Sequence, residues 1–169
     1  MPSRRQILGG LLGFCGHALP PALAWAAPQE YLLDPDQTKV GFGFRLNKIW
    51  QSGTMPVVSS AIQLTPNHLE ATKVSVSLDA RSAKAGFIFA TRAMTGPEVL
   101  DVARFPTIDF ISRQIQLGPE RRLSGGAQIL GDLTLRGVTQ PISLAASLFR
   151  PAGSAVDDLS RLDFNLTGR

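Results

Sequence analysis

The chain has 169 residues, with 17 Lys and Arg against 13 Asp and Glu, and a single cysteine. That length holds one ordinary domain, and one cysteine excludes an internal disulfide framework or a thiolate zinc site. A formal net charge of +4 spread along the sequence is no basic stripe, so nucleic acid is not an expected partner.

Residues 1–26 read as a cleaved export signal, with a single domain expected over 27–169. Ser3-Arg4-Arg5 opens the signal, a short apolar run broken by Gly and Pro follows, and Ala24-Trp25-Ala26 offers small residues to a signal peptidase. The run is too short to span a bilayer. Arg4-Arg5 followed by Ile7-Leu8 resembles the twin-arginine type, with a Sec signal as the alternative. Cleavage would remove two arginines, Cys15 and His17 but no acid, leaving 15 basic and 13 acidic residues and one histidine, His68. The expected location is the periplasm.

Next comes a leading segment, APQEYLLDPDQ, in which Tyr31 and Leu32 should pack while Asp34-Pro35-Asp36 turns. TKVGFGFRL then alternates Val40, Phe42, Phe44 and Leu46 with glycines, a strand pattern suited to a curved or closed sheet. A hairpin turn is expected at Gln51 to Thr54, with Trp50 packing beside it and a strand running on to Leu64. His68 falls in the surface turn PNHLEA, and TKVSVSLDA resumes the period of two through Val74, Val76, Leu78 and Ala80.

Residues 81–104 break that period. Ala85 to Met94 has helical propensity and Pro97 could open a further turn, which predicts one or two short helices across one barrel opening, within about 84–102. Strands return as FPTIDFIS and RQIQL, turn at LGPERR, and continue through LSGGAQILGDLTL, where Gly125-Gly126 suggests a bulge. The pair around RGVTQP reads as two antiparallel strands, with Pro141 opening the second. PAGSAVDD is a turn and RLDFNLTG closes the chain. Seven or eight strands with one helical interruption predict an all-β sandwich or barrel.

Catalytic signals are sparse. A lone His68 in a surface turn cannot supply a His-rich metal site and lies far from any nucleophile pattern. The carboxylates are dispersed, with Asp157-Asp158 in the late turn, and neither GxGxxG nor a P-loop occurs. No catalytic or metal-binding residue is therefore assigned, and the expected protein is no enzyme.

Three motifs resemble the YceI-like family of exported polyisoprenoid-binding proteins. The first runs through Tyr31, Leu33, Asp34, Pro35, Thr38, Val40, Phe42 and Phe44. A second spans Met94 to Thr107, with Pro97, Leu100, Asp101, Val102, Pro106 and Thr107 in register. The most specific runs from Gly131 to Ile142. Histidines common in the family are absent: Gln37, Leu46 and Ala93 stand in their regions, and Arg136 replaces the one in the hairpin. The resemblance implies a lipocalin-like, eight-stranded antiparallel barrel with a short helical insertion, around an apolar cavity.

The expected function is thus a periplasmic carrier that holds a polyisoprenoid, quinone or fatty-acyl lipid and needs no cofactor. Phe42, Phe44, Val76, Leu78, Phe87, Phe89, Phe110, Leu133 and Leu135 are the expected cavity lining. Arg81, Lys84, Arg92 and Arg104 flank the insertion, where they could meet a headgroup. Beyond the lipid, the expected partners are a membrane or a membrane redox protein, met transiently. One alternative is a filled barrel acting as an interaction module near such a redox partner. The other is a hydrolase or isomerase using dispersed carboxylates. The same alternation fills a small barrel or lines a hollow one.

Overall fold

The computed structural model describes residues 28–46, 48–66, 68–119, 125–155 and 158–168. The expected signal at 1–26 and half of the LGPERR turn, from Glu120 to Arg122, lie outside the described residues.

Among the described residues ten strands and one α-helix follow in order. They are β1 (Gln29–Tyr31), β2 (Val40–Leu46), β3 (Ile49–Met55), β4 (Val57–Leu64), β5 (Lys73–Asp79) and β6 (Lys84–Ala85), then α1 (Ile88–Thr95), β7 (Thr107–Leu117), β8 (Ala127–Leu135), β9 (Val138–Phe149) and β10 (Asp163–Gly168). Every pairing is antiparallel. A seven-stranded sheet in the order β1-β4-β5-β7-β8-β9-β10 curls into a half-barrel, and β2-β3-β6 forms a second sheet. Eight strands of six residues or more carry the fold, with two short ones beside them.

Pro56 explains the two sheets. β3 and β4 are one long run interrupted by a residue that has no N–H for a ladder, and the chain changes sheet there. Its carbonyl is still used, accepting from the Asp79 N–H at 2.9 Å.

Several local expectations are corrected. Gln51 to Thr54 lies inside β3, not in a turn. Leu46 pairs instead with Ile49, and Lys48 ahead of β3 has a φ of 67°. Leu32 is exposed and Leu33 is half-buried in its place. The insertion holds one α-helix, within the one or two expected, and Pro97 begins an irregular turn rather than a second. FPTIDFIS and RQIQL form one strand, with a register shift between Ser112 and Gln114. Pro141 does not open β9 but sits within it, opposite Asp132. β10 pairs only with Leu144 to Phe149, so on that side Pro141 has no partner strand for its missing donor to deprive.

The β8–β9 turn is a two-residue connection. Leu135 pairs with Val138, and Arg136 and Gly137 between them have φ of 50° and 73°, a two-residue turn of the mirror-image type. Gly126, with a φ of 90°, closes the β7–β8 connection ahead of β8; its carbonyl accepts from the Gly118 N–H.

Two apolar clusters occupy the inner face. At the insertion end, Met55, Ala80, Ala83 and Met94 are buried, with Phe42, Phe44, Leu78, Leu100, Val102 and Ile108 packed around them. Ala90 and Met94, four residues apart on α1, form the helix face that enters this cluster's side of the molecule. At the other end Phe110, Ile115, Ala127 and Ile129 are buried against Val74, Leu117, Leu133, Ile142, Leu144 and Ala146.

Candidate ligand-binding face

Register fixes which side chains share the inner face. Directly paired residues point the same way, so Ser60, Val76, Phe110, Leu133 and Gln140 form one row across five strands. Leu78 with Ile108 lies toward the insertion. Gly131 with Ile142, then Ile129 with Leu144, continues the face the other way. It extends to Phe164 and Leu166 on β10, opposite Leu148 and Ala146.

Close approach demands a glycine in this wall. A methyl group on Gly131 would stand 2.6 Å from the Phe110 ring and 2.5 Å from the Ile111 carbonyl oxygen. The aromatic ring therefore lies flat over the neighbouring strand, occupying the volume that a side chain there would need.

Of the expected lining, Phe42, Phe44 and Leu78 join the cluster at the insertion end, and Phe110 and Leu133 the other. Val76 lies between them in the common row. Leu135 stands beside the β8–β9 turn, 40% exposed. Phe87 and Phe89 sit at the start of the helix, 49% and 72% exposed, outside both clusters.

The expected rim cations divide. Arg81 is held by Asp79, its Nε donating to Oδ1 at 3.2 Å. Arg104 lies 3.6 Å from the buried Asp101 and over the Phe105 ring, 5.2 Å from its centre. Lys84 and Arg92 are exposed and have no ion pair among the described residues. His68 stays in an exposed turn, 3.8 Å from Glu70. Among the described residues no group of three or more His, Cys, Asp or Glu comes together as a metal site.

Asp79 is the hinge on which the chain leaves β5 for the insertion. Its carboxylate accepts from the Ser82 hydroxyl at 2.7 Å and from the Arg81 backbone N–H at 3.0 Å. The Ser82 bond foremost, and then Arg81, holds its pKa below the ordinary carboxylate range despite some desolvation.

Arg136 has a role that its position in the sequence did not suggest. Its guanidinium donates to the carbonyls of Pro97, Glu98 and Val99 at 2.6, 3.2 and 3.4 Å. It ties the β8–β9 turn to the insertion. The polar members of the inner row, Ser60 and Gln140, were equally silent: neither belongs to an apolar alternation, and only strand pairing puts them there.

Two shallow concavities lie on the opposite, convex side. One of about 430 Å³ is bordered by Arg113, Leu130, Pro141 and Ser143. The other, about 520 Å³, is bordered by Ala61, Lys73, Ser75 and Ile111. Neither is the hollow of the curled sheet.

The model of the YceI-like domain matches residues 31–169. The chain belongs to the YceI-like family. Protein YceI of Salmonella agona is 27% identical over 170 residues, covering 93% of this chain and 86% of the relative. A UPF0312 protein of Vibrio vulnificus is 28% identical over 135 residues, 78% of this chain and 69% of its own. Among solved structures, BcnA of Burkholderia cenocepacia superposes with a TM-score of 0.59 at 16% identity, covering 70% of this chain and 72% of BcnA. The YceI protein of Campylobacter jejuni gives 0.52 at 21% identity, with 78% and 73% covered. At these identities the structural likeness extends to the fold of this YceI-like chain, a barrel-like antiparallel sheet.

Proposed function

We propose that this YceI-like protein is a periplasmic carrier that holds a polyisoprenoid or similar long-chain lipid along the inner face of its half-barrel. The observation that carries the reading is the incomplete burial of that face. Phe42, Phe44, Val76, Leu78 and Leu133 point inward yet are only half-buried, and Phe164 and Leu166 remain 36% and 38% exposed. A barrel filled by its own side chains would bury them. An apolar tail laid along the row gains about 0.8 kcal/mol for each methylene it removes from water, so a few prenyl units suffice without any charged contact. Phe87, Phe89 and Leu135 stand at the mouth, where a tail would enter. The protein's part is desolvation, with no covalent step.

Organic extraction of protein isolated from cells tests the reading by mass spectrometry. A long apolar molecule is the expected yield. Empty extracts, from a preparation that also takes up no added prenyl lipid, would overturn it. Fractionation of expressing cells should place the processed chain in the periplasm, and replacing Arg4 and Arg5 by Lys should hold it back if export follows the twin-arginine route.

A further inference from the structure

Several of the large apolar side chains left in solvent gather at one end of the molecule, while others, among them Leu32, Ile111, Phe149, Phe164 and Leu166, are exposed elsewhere. Ile49 and Trp50 stand beside the β2–β3 turn, Phe87, Ile88 and Phe89 open the helix, and Leu135 and Val138 flank the β8–β9 turn. Topology brings these segments to a common side. β6 runs antiparallel to β3, from Lys84 opposite Thr54 to Ala85 opposite Gly53, and so delivers Gly86 to Phe89 toward the Trp50 end of β3. Arg136 fastens the β8–β9 turn to the carbonyls of Pro97, Glu98 and Val99, and Val99 is exposed as well. Ile88, Phe89 and Trp50 are 63%, 72% and 65% exposed; apolar side chains that gather into one patch, unlike single scattered ones, mark an interaction surface.

Charge says what such a surface faces. Lys48, Arg81, Lys84, Arg92, Arg104 and Arg136 accompany these segments, against the carboxylates of Asp79, Glu98 and Asp101. Asp79 and Asp101 are already engaged by Arg81 and Arg104. Lys48, Lys84 and Arg92 have no ion pair among the described residues.

We propose that this end is a membrane-docking rim: Trp50, Phe87, Ile88 and Phe89 enter the interface of an anionic bilayer while Lys48, Lys84 and Arg92 meet its headgroups. Aromatic rings favour the boundary between headgroup and acyl chain, and basic side chains beside them are drawn to anionic lipid. A second copy is a poorer occupant, because the same cations would then meet each other. The proposal rests on the carrier reading only for its purpose, the transfer of a tail between bilayer and trough; the surface itself needs no cargo.

Flotation of the processed chain with vesicles of phosphatidylglycerol and phosphatidylethanolamine, compared with phosphatidylcholine vesicles, tests it. Of the two tryptophans Trp25 lies in the expected signal, so the processed chain carries Trp50 as its one indole, excited apart from Tyr31. Binding to the anionic vesicles should weaken with salt, and Trp50 emission should shift to the blue and be quenched by brominated acyl chains. Lys84→Ser with Arg92→Ser should cost about tenfold or more in vesicle affinity, and Phe87→Ser with Phe89→Ser should cost at least as much. These positions are exposed, so the melting curve should not move; if the double variant melts early, Ile88→Ser alone serves. Equal flotation of every variant, an unquenched Trp50, or a dimer in free solution that Phe89→Ser dissolves would overturn the proposal. Flotation with empty extracts would sink the carrier and spare the rim, and loaded protein that never floats would do the reverse.

Discussion

Asp79 shows how one carboxylate can hold a chain at a corner. The Ser82 hydroxyl, and after it Arg81, lowers its pKa, so the folded state binds that proton less readily than the unfolded chain. Its contribution to stability is therefore complete above the ordinary carboxylate pKa, near 3.9, and is lost as pH falls through the lower folded value. Ser82→Ala should move the Asp79 titration back up toward its ordinary value and soften the acid limb of the stability profile. Carboxyl NMR titration of the two proteins, followed by acid denaturation, measures both. An unchanged Asp79 titration would mean that the hydroxyl does not hold the group. Gly131 is constrained by space instead. With Phe110 and the Ile111 carbonyl so near, Gly131→Ala should destabilise the fold by about 1–3 kcal/mol, read from denaturant midpoints, and a neutral substitution would mean the ring moves freely.

At the scale of elements, the insertion from Ala80 to Pro106 depends on side-chain ties more than on its own helix. α1 has eight residues, short for a helix that must stand alone. Thr91 anchors it to β6, its Oγ1 accepting from the Ala85 N–H at 3.0 Å and donating to the Phe87 carbonyl at 3.3 Å. Met94, 1% exposed, plugs it into the apolar cluster, and Arg136 clasps its far end. Arg136→Ala should therefore speed amide exchange from Gly96 to Val102 while leaving β8 and β9 protected, at a cost of about 1–2 kcal/mol for charge-assisted bonds at the surface. Lysine should not rescue it, since one ammonium cannot span three carbonyls as the planar guanidinium does. Uniform exchange across the molecule would show that the clasp is ornamental. Met94→Ala, by contrast, should lower global stability by about 2–5 kcal/mol through the cavity it leaves, a loss visible in thermal melts.

For the molecule as a whole, the deciding quantity is the free volume along the inner face. Val76→Phe offers a direct measure. In a hollow half-barrel the larger ring finds room, stability holds, and uptake of an added prenyl lipid falls. In a filled interior the same change overpacks and costs about 1–3 kcal/mol. Thermal melts and lipid titration of that one variant separate the two.

The all-β class, the strand faces and the position of the insertion were legible in the sequence because a period of two is a local property. Val74, Val76 and Leu78 alternate whatever they pair with. The family was legible for a similar reason, since its motifs are short and contiguous, from Tyr31 to Phe44 and from Gly131 to Ile142. Local reading erred where two patterns compete. Gly53 and Ser52 look like a turn but pair in β3, because Phe42 needs a partner with no side chain; a methyl on Gly53 would lie 2.5 Å from its ring. Pro141 looks like a strand opener but is tolerated inside β9, since its neighbour strand begins farther along. The strand members of the expected lining were drawn from alternation, but Phe87 and Phe89 come from the insertion, where no period of two tells an inward ring from an exposed one. Which rows meet across strands, that Ser60 and Gln140 share the inner face, that Arg136 reaches 39 positions back to Pro97, and that Phe87 and Phe89 come out toward the Trp50 end of β3 were decided by tertiary structure. Sequence determines the direction in which each side chain points along its own strand. Only strand pairing and closure of the chain over long separations determine what it meets there.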